Sequence, residues 1–224
     1  MNRQELLKNA KPILFNTEMV KAILDGKKSC TRRVVKLKDI QDVLNSSVRI
    51  ESPNISDNQC IRCLCTAPYD AGDILYVRET WGKLNNDNPD SNAVCYQYRA
   101  GYSSENVLPK WHPSIHMPKV AARIFLRVTD VSVERLQNIT EQDIHKEGVK
   151  TKICKECLQY ADCQPQRDVD VFCGGDEQLI ETFADLWDST IKKADIDRYG
   201  WEANPWVWVI EFERVKIDED NDRH

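Results

Sequence analysis

The sequence has no long apolar run. Its longest, Trp206-Val207-Trp208-Val209-Ile210, is five residues, far short of the roughly 20 that a membrane helix needs. No spanning helix is therefore expected. Met1 to Leu14 mixes charged with apolar side chains and lacks the apolar stretch of a secretory signal, so export is not expected either. Excess positive charge is missing as well. The formal net charge is −5, which argues against a protein that coats nucleic acid by charge alone but leaves room for a local basic site. No internal repeat is visible. The four histidines are scattered, and His112 and His116, either side of a Pro-containing stretch, show no ligand spacing.

What is present is enough chain for a core. With 224 residues, one large domain is favoured over two small ones, and such a chain hides roughly 70% of its unfolded surface without needing disulfides. Hydrophobic residues at 41% and charged residues at 30% exclude bulk disorder. Nine cysteines are many for this length. With no export signal the expected compartment is reducing and cytoplasmic, where close cysteines more often hold metal than form disulfides. Four of them read Cys154-x2-Cys157-x5-Cys163-x9-Cys173, in a stretch with no hydrophobic periodicity. Four thiolates can close one tetrahedral, structural zinc site and give such a loop the core it lacks. Reduced thiols and disulfides are the alternatives. Cys60, Cys63 and Cys65 form a second cluster, expected to be buried thiols because Cys63 and Cys65 would share a strand face.

The pattern along the chain gives the elements. Met19, Val20, Ile23 and Leu24 predict a short helix over Thr17 to Asp25, capped by Asn16 or Thr17 and ended by Gly26. Asp39 to Gln59 is polar and weakly periodic, an expected mobile insertion (39–60), and Ile61 to Cys65 reads as a short strand. Pro68 to Asp73 is a turn that opens a strand from Ile74 to Trp81; a polar turn over Asn85 to Asn92 separates it from another at Val94 to Arg99. Arg123 to Glu134 is the clearest strand. Thr140 caps a short helix through Glu147, with Asp143 three residues on. A second insertion, 150–175, holds the cysteine loop. Glu177 to Ile191 is an amphipathic helix, and Trp206 to Glu213 a closing strand, followed by a charged, frayed end. Strands without regular crossover helices predict an α+β fold, a small and mostly antiparallel barrel with packed helices.

The segment Lys27 to Lys38 carries six positive charges and no acid. Within it and just before it, Gly26, Lys28, Thr31 and Arg33 spell G-x-K-x-x-T-x-R directly after the first helix. Asp70 to Val77, Val128 to Glu147 and the closing Trp208 to Phe212 follow in order. On these segments the chain resembles the ASCH superfamily, and Val77 to Trp81 with Pro205 to Phe212 resembles its larger members common in phages and prophages. The resemblance implies a PUA-like β-barrel as a single domain over 1–224, with RNA or a modified nucleoside as its partner. It also implies a candidate activity. One small bacterial branch hydrolyses the amide of N4-acetylcytidine with a lysine and a threonine of the motif and a glutamate on a later helix. Lys28 and Thr31 match the first two, and Glu147, in Ile139 to Glu147, takes the glutamate's place. This chain is much longer than that enzyme, so the substrate can differ.

The chemistry is coherent by itself. A threonine hydroxyl needs a base to become a nucleophile, and a lysine serves only if its pKa falls well below the free value. Crowding by Lys27, Arg32 and Arg33 acts in that direction. Arg33, on the Thr31 face by period-2 alternation, would stabilise an oxyanion or hold a phosphate. Glu147 would orient Lys28 or pass a proton to the leaving amine. Lys27, Arg32, Arg33 and Tyr76 are the expected substrate contacts. Each has a plainer reading: a solvated basic strand edge, an ordinary strand threonine, a surface glutamate, and, for Tyr76, Tyr96, Tyr98 and Trp81, core packing in place of base stacking. A non-catalytic RNA-binding module and a metal-independent ribonuclease are the alternative functions.

Overall fold

The computed structural model describes residues 2–36, 54–84, 95–102, 110–149 and 175–217. The zinc ligand set Cys154, Cys157, Cys163 and Cys173 lies outside the described residues, as do the Asn85–Asn92 turn, most of the 39–60 and 150–175 insertions, and the last residues of the charged end.

Helix α1 (Arg3–Asn9) opens the chain, capped by the Asn2 side chain, and leads into strand β1 (Lys11–Leu14). Helix α2 (Thr17–Leu24) starts where expected, with the Asn16 side chain accepting the Met19 N–H, and it buries Val20, Ala22 and Ile23. Gly26 takes φ +70 after it, a left-handed turn that glycine makes without a Cβ clash. Strand β2 (Cys30–Val34) follows. Helix α3 spans Asp57–Leu64, so the expected strand at Ile61 to Cys65 is not formed. The reason is local: Ser56 and Gln59 make a reciprocal capping box, which starts a helix and turns Cys60 and Ile61 inward. Cys63 is consequently exposed while Cys60 and Cys65 are buried, correcting the shared strand face.

Strands β3 (Ile74–Arg78) and β4 (Trp81–Leu84) replace the single strand expected from Ile74 to Trp81, and β5 is Cys95–Tyr98. Strand β6 is Phe125–Arg135. Helix α4 (Glu141–Lys146) carries the expected capping box of Thr140 and Asp143. Helices α5 (Gly175–Thr190) and α6 (Ile196–Tyr199) precede the closing strand β7 (Trp206–Arg214).

The fold is mixed α+β. Its main sheet has five strands in the order β1-β3-β6-β7-β2 and is mostly antiparallel, with β4 and β5 a separate two-stranded sheet. Of the segments Ile74 to Val77, Ile124 to Val128 and Val207 to Phe212, expected in one sheet, all share it except Ile124, which lies just before β6. The closed barrel is corrected: the described strands form an open sheet with β1 and β2 at its ends. Strand β1 suits an edge, since it contains Pro12, which has no N–H to donate. It pairs with β3 in parallel, Ile13 opposite Val77, while β3 runs antiparallel to β6, Leu75 opposite Leu126. The Asp70–Asp73 turn fixes that register. Gly72, at φ +93, donates its N–H to Val128 O at 2.8 Å, and Val128 returns one to Asp73 O at 2.9 Å.

The chain divides into two compact units. Unit 1 comprises Met1–Thr31, Ala67–Ser132 and Ile210–His224. One of its buried clusters is Leu6, Ala10, Tyr76, Trp81, Met117, Ala121, Ala122 and Phe125. Unit 2 comprises Arg32–Thr66 and Val133–Val209. There α5 buries Leu179, Phe183 and Trp187. The Trp187 indole N–H donates to Tyr199 O at 2.7 Å, and Phe183 meets Trp201 edge-on at 6.0 Å.

Candidate functional site

A polar side chain is buried only where the fold can satisfy it or a site needs it. Among the described residues five polar or charged side chains are buried: Lys28, Thr31, Arg32, Glu79 and Glu147. Four of these are the motif and helix residues singled out above. The solvated-edge reading fails for Lys28, Thr31 and Arg32, and Glu147 is no surface helix residue.

In unit 1 the turn after α2 sets Lys28. The backbone N–H groups of both Lys27 and Lys28 donate to Ala22 O, at 2.8 and 3.0 Å, wrapping the chain back over the helix end. The two side chains part there. Lys27 stays exposed and pairs with Asp25 at 3.5 Å. Lys28 is 3% exposed, its Nζ 5.6 Å from the centroid of the Phe15 ring. Ser29 O accepts the Phe212 N–H at 2.8 Å, tying the entry of β2 to β7, and Thr31 follows at 1% exposure. A lysine packed against a phenyl ring loses hydration but gains an attraction between its charge and the ring face.

Unit 2 holds Arg32 and Glu147. Arg32, expected to contact substrate, is instead turned onto acids of this unit. Its Nε and Nη2 donate to Glu134 Oε1 at 3.0 and 2.7 Å, and its Nη1 donates to Glu147 Oε1 at 3.2 Å. Asp143 Oδ2 lies 3.7 Å from Nη2. Three carboxylates from β6 and the α4 region thus surround one guanidinium whose side chain is 1% exposed. Helix α4 builds this arrangement. Its capping box places Asp143 at the first turn, and Glu147 at the C-cap falls one turn further along the same face. Burial acts to raise the Asp143 carboxyl, but hydrogen bonds from the Thr140 hydroxyl and N–H, with the charges of Arg32 and Lys146, hold it below its ordinary value. Arg33 is half-buried, and its Nη1 donates to Arg32 O at 3.1 Å.

Tyr76 lies in the unit 1 cluster at 8% exposure, with Lys119 Nζ 5.4 Å from its ring centroid. Its surroundings are those of a core residue. Trp81, Tyr96 and Tyr98 belong to or pack against the same cluster.

The fifth buried group, Glu79, escaped the sequence reading. It pairs with Arg123 in unit 1 through two hydrogen bonds, 2.8 and 2.9 Å, and Arg123 also donates to Ala100 O at 2.7 Å. The guanidinium sits 4.1 Å over the Tyr98 ring. Burial raises the Glu79 carboxyl above its ordinary value despite Arg123, and burial pushes the Tyr98 phenol up to about 12. The available signal was the charged Arg78-Glu79 pair inside an apolar strand run.

Among the described residues no group of three or more histidine, cysteine or acidic side chains is arranged to hold a metal ion, and no helix is long and apolar enough to cross a membrane. No family model, no curated protein and no solved structure matches this chain.

Proposed function

We propose that the chain is an ASCH-type, PUA-like protein that recognises RNA or a modified nucleobase at the basic motif and hydrolyses the amide of an N4-acylated cytidine. The burial of Lys28, Thr31, Arg32 and Glu147 carries this reading, because solvation or edge protection explains none of them. Thr31 Oγ1 attacks the acyl carbonyl as Lys28 takes its proton. The C–N bond breaks, the cytidine amine leaves with that proton, and water hydrolyses the threonyl ester to release the acid. Glu147, in contact with Arg32, is the orienting group of the set, and Arg32 becomes a positioning residue. Arg33 keeps its role as the contact for an oxyanion or phosphate.

The test is acid release from N4-acetylcytidine and related N4-acyl cytidines. Thr31→Ala and Lys28→Ala should each lower turnover by at least about 10² if they act as a unit. Lys28→Arg should fail equally, because arginine keeps its proton at neutral pH. A non-catalytic binder gives the opposite pattern: no hydrolysis of any acylated cytidine, and salt-dependent RNA binding that survives Lys28→Arg.

A further inference from the structure

Unit 1 has a cleft of about 640 Å³ that uses none of the motif residues. That volume falls inside the roughly 300–1,000 Å³ of small-molecule sites. One wall is α2, with Thr17 and Glu18 of its first turn and Lys21 of its last; the other is Thr80 after β3 with Arg99 and Tyr102 after β5. Two cations face one carboxylate, so the lining is net positive in a chain whose net charge is −5.

The second wall is braced. Trp111 supports two of its side chains: the Arg99 guanidinium carbon lies 5.5 Å from the indole centroid, and the Tyr102 ring meets the indole edge-on at 5.3 Å. The backbone ties the same residues together, with Arg99 N–H donating to Thr80 O at 2.9 Å and Tyr102 N–H to Arg99 O at 3.4 Å. An arginine and a tyrosine held this way lose little freedom when a ligand arrives. On the first wall Lys21 pairs with Glu18 at 2.9 Å, and both side chains are at least half exposed, at 50% and 79%.

We propose that this cleft binds a nucleoside monophosphate unit. Arg99 supplies a planar fork and Lys21 a point charge, the two common partners of a phosphate, and the Thr17 and Thr80 hydroxyls add neutral donors. Glu18 repels a phosphate and is paired with Lys21 at 2.9 Å, so a phosphate on Lys21 displaces its side chain, which is 79% exposed, and its oxygens then accept from ribose hydroxyls. The Tyr102 ring offers a stacking face for the base. The proposal goes beyond the reading above and stands without it, since Lys28, Thr31 and Glu147 take no part.

Calorimetry on the full chain tests it with cytidine and adenosine monophosphates, the matching nucleosides and inorganic phosphate. A mononucleotide should bind at least about tenfold more tightly than its nucleoside and than phosphate, and Arg99→Ala and Lys21→Ala should each cost at least about tenfold with an unchanged thermal midpoint. A 5′-phosphorylated RNA dinucleotide run beside the free mononucleotide identifies the source: whichever binds more tightly, with the same loss in Arg99→Ala, is the natural form. Three results overturn the proposal. One is a nucleoside or phosphate that matches the mononucleotide. Another is affinity kept within twofold in both cleft variants. The third is binding removed by Lys28→Ala and kept in Arg99→Ala, which would move the nucleotide to the motif.

Discussion

Two arginines of this chain are held by buried or half-buried acids, and their surroundings differ. In unit 1 Arg123 meets one carboxylate, Glu79, through two parallel hydrogen bonds of 2.8 and 2.9 Å. In unit 2 Arg32 meets three: Glu134 at 2.7 Å, Glu147 at 3.2 Å and Asp143 at 3.7 Å. The first group is charge-balanced and geometrically complete, as a structural clasp should be. The second gathers three acids on one guanidinium, with Lys146 Nζ a second cation 3.6 Å from Asp143. Like charges brought together where water is partly excluded are costly for a fold, and such costs concentrate at sites that use them. The imbalance, and not burial alone, separates the functional candidate from the clasp.

Replacing Arg32 should therefore have the largest effect. Arg32→Met removes the guanidinium that three carboxylates share and should cost about 3–5 kcal/mol at neutral pH, read from denaturant unfolding. Much of the loss should return as the pH falls into the carboxyl range and the acids take up protons. Arg32→Lys keeps the charge without the fork and should cost less. An Arg32→Met protein as stable as wild type would remove the energetic meaning of the imbalance.

The clasp should break more gently. Glu79 is 1% exposed but the Arg123 side chain is 33% exposed, so water can partly replace the guanidinium. Arg123→Met should cost about 3 kcal/mol, and Glu79→Met in the same chain should recover most of it. No single carboxylate replacement should rescue Arg32→Met, because two acids remain.

Acid titration should separate the two groups by sign. The Asp143 carboxyl is held below its ordinary 3.8, so its contribution is present above that value and lost as the pH falls through its folded-state pKa. Glu79 is raised above its ordinary 4.5, so the folded chain binds that proton more tightly. Its contribution is present below 4.5 and lost as the pH rises through the folded-state value. Unfolding followed from about pH 3 to 7 should show Asp143→Asn flattening the acid-side loss and Glu79→Gln flattening the opposite slope. Slopes changed in the same direction would contradict the assignment.

The legible parts of the fold were those written in local chemistry. Asn16 and Gly26 bound α2, Thr140 and Asp143 start α4, and alternation marks β6. Segment 61–65 misled because Ile61, Cys63 and Cys65 alternate like a strand, while the deciding signal, Ser56 with Gln59, sat in the polar stretch before it. Strand β1 was missed because four residues with a proline show no period; its partner β3 supplies the structure. The site divides in the same way. The motif spacing picked out Lys28 and Thr31, and a segment resemblance Glu147, all three of them buried. The place of Arg32 was not, since its main partner Glu134 is 102 residues away and no local rule pairs them.

The smallest effect should fall on Lys27, and it sharpens the contrast between buried and solvated charge within two adjacent residues. Its side chain is 56% exposed and its partner Asp25 52%, at 3.5 Å. Water and salt screen such a pair, so Lys27→Ala should change stability by less than about 0.5 kcal/mol, with the difference vanishing at high salt. The sequence placed Lys27 among the substrate contacts beside Lys28. If exposure decides, Lys27→Ala should change turnover or nucleoside affinity by less than about threefold, under about 0.6 kcal/mol, while Lys28→Ala abolishes function. A loss of tenfold or more in Lys27→Ala, at unchanged stability, would show that an exposed charge beside the motif reaches the ligand after all.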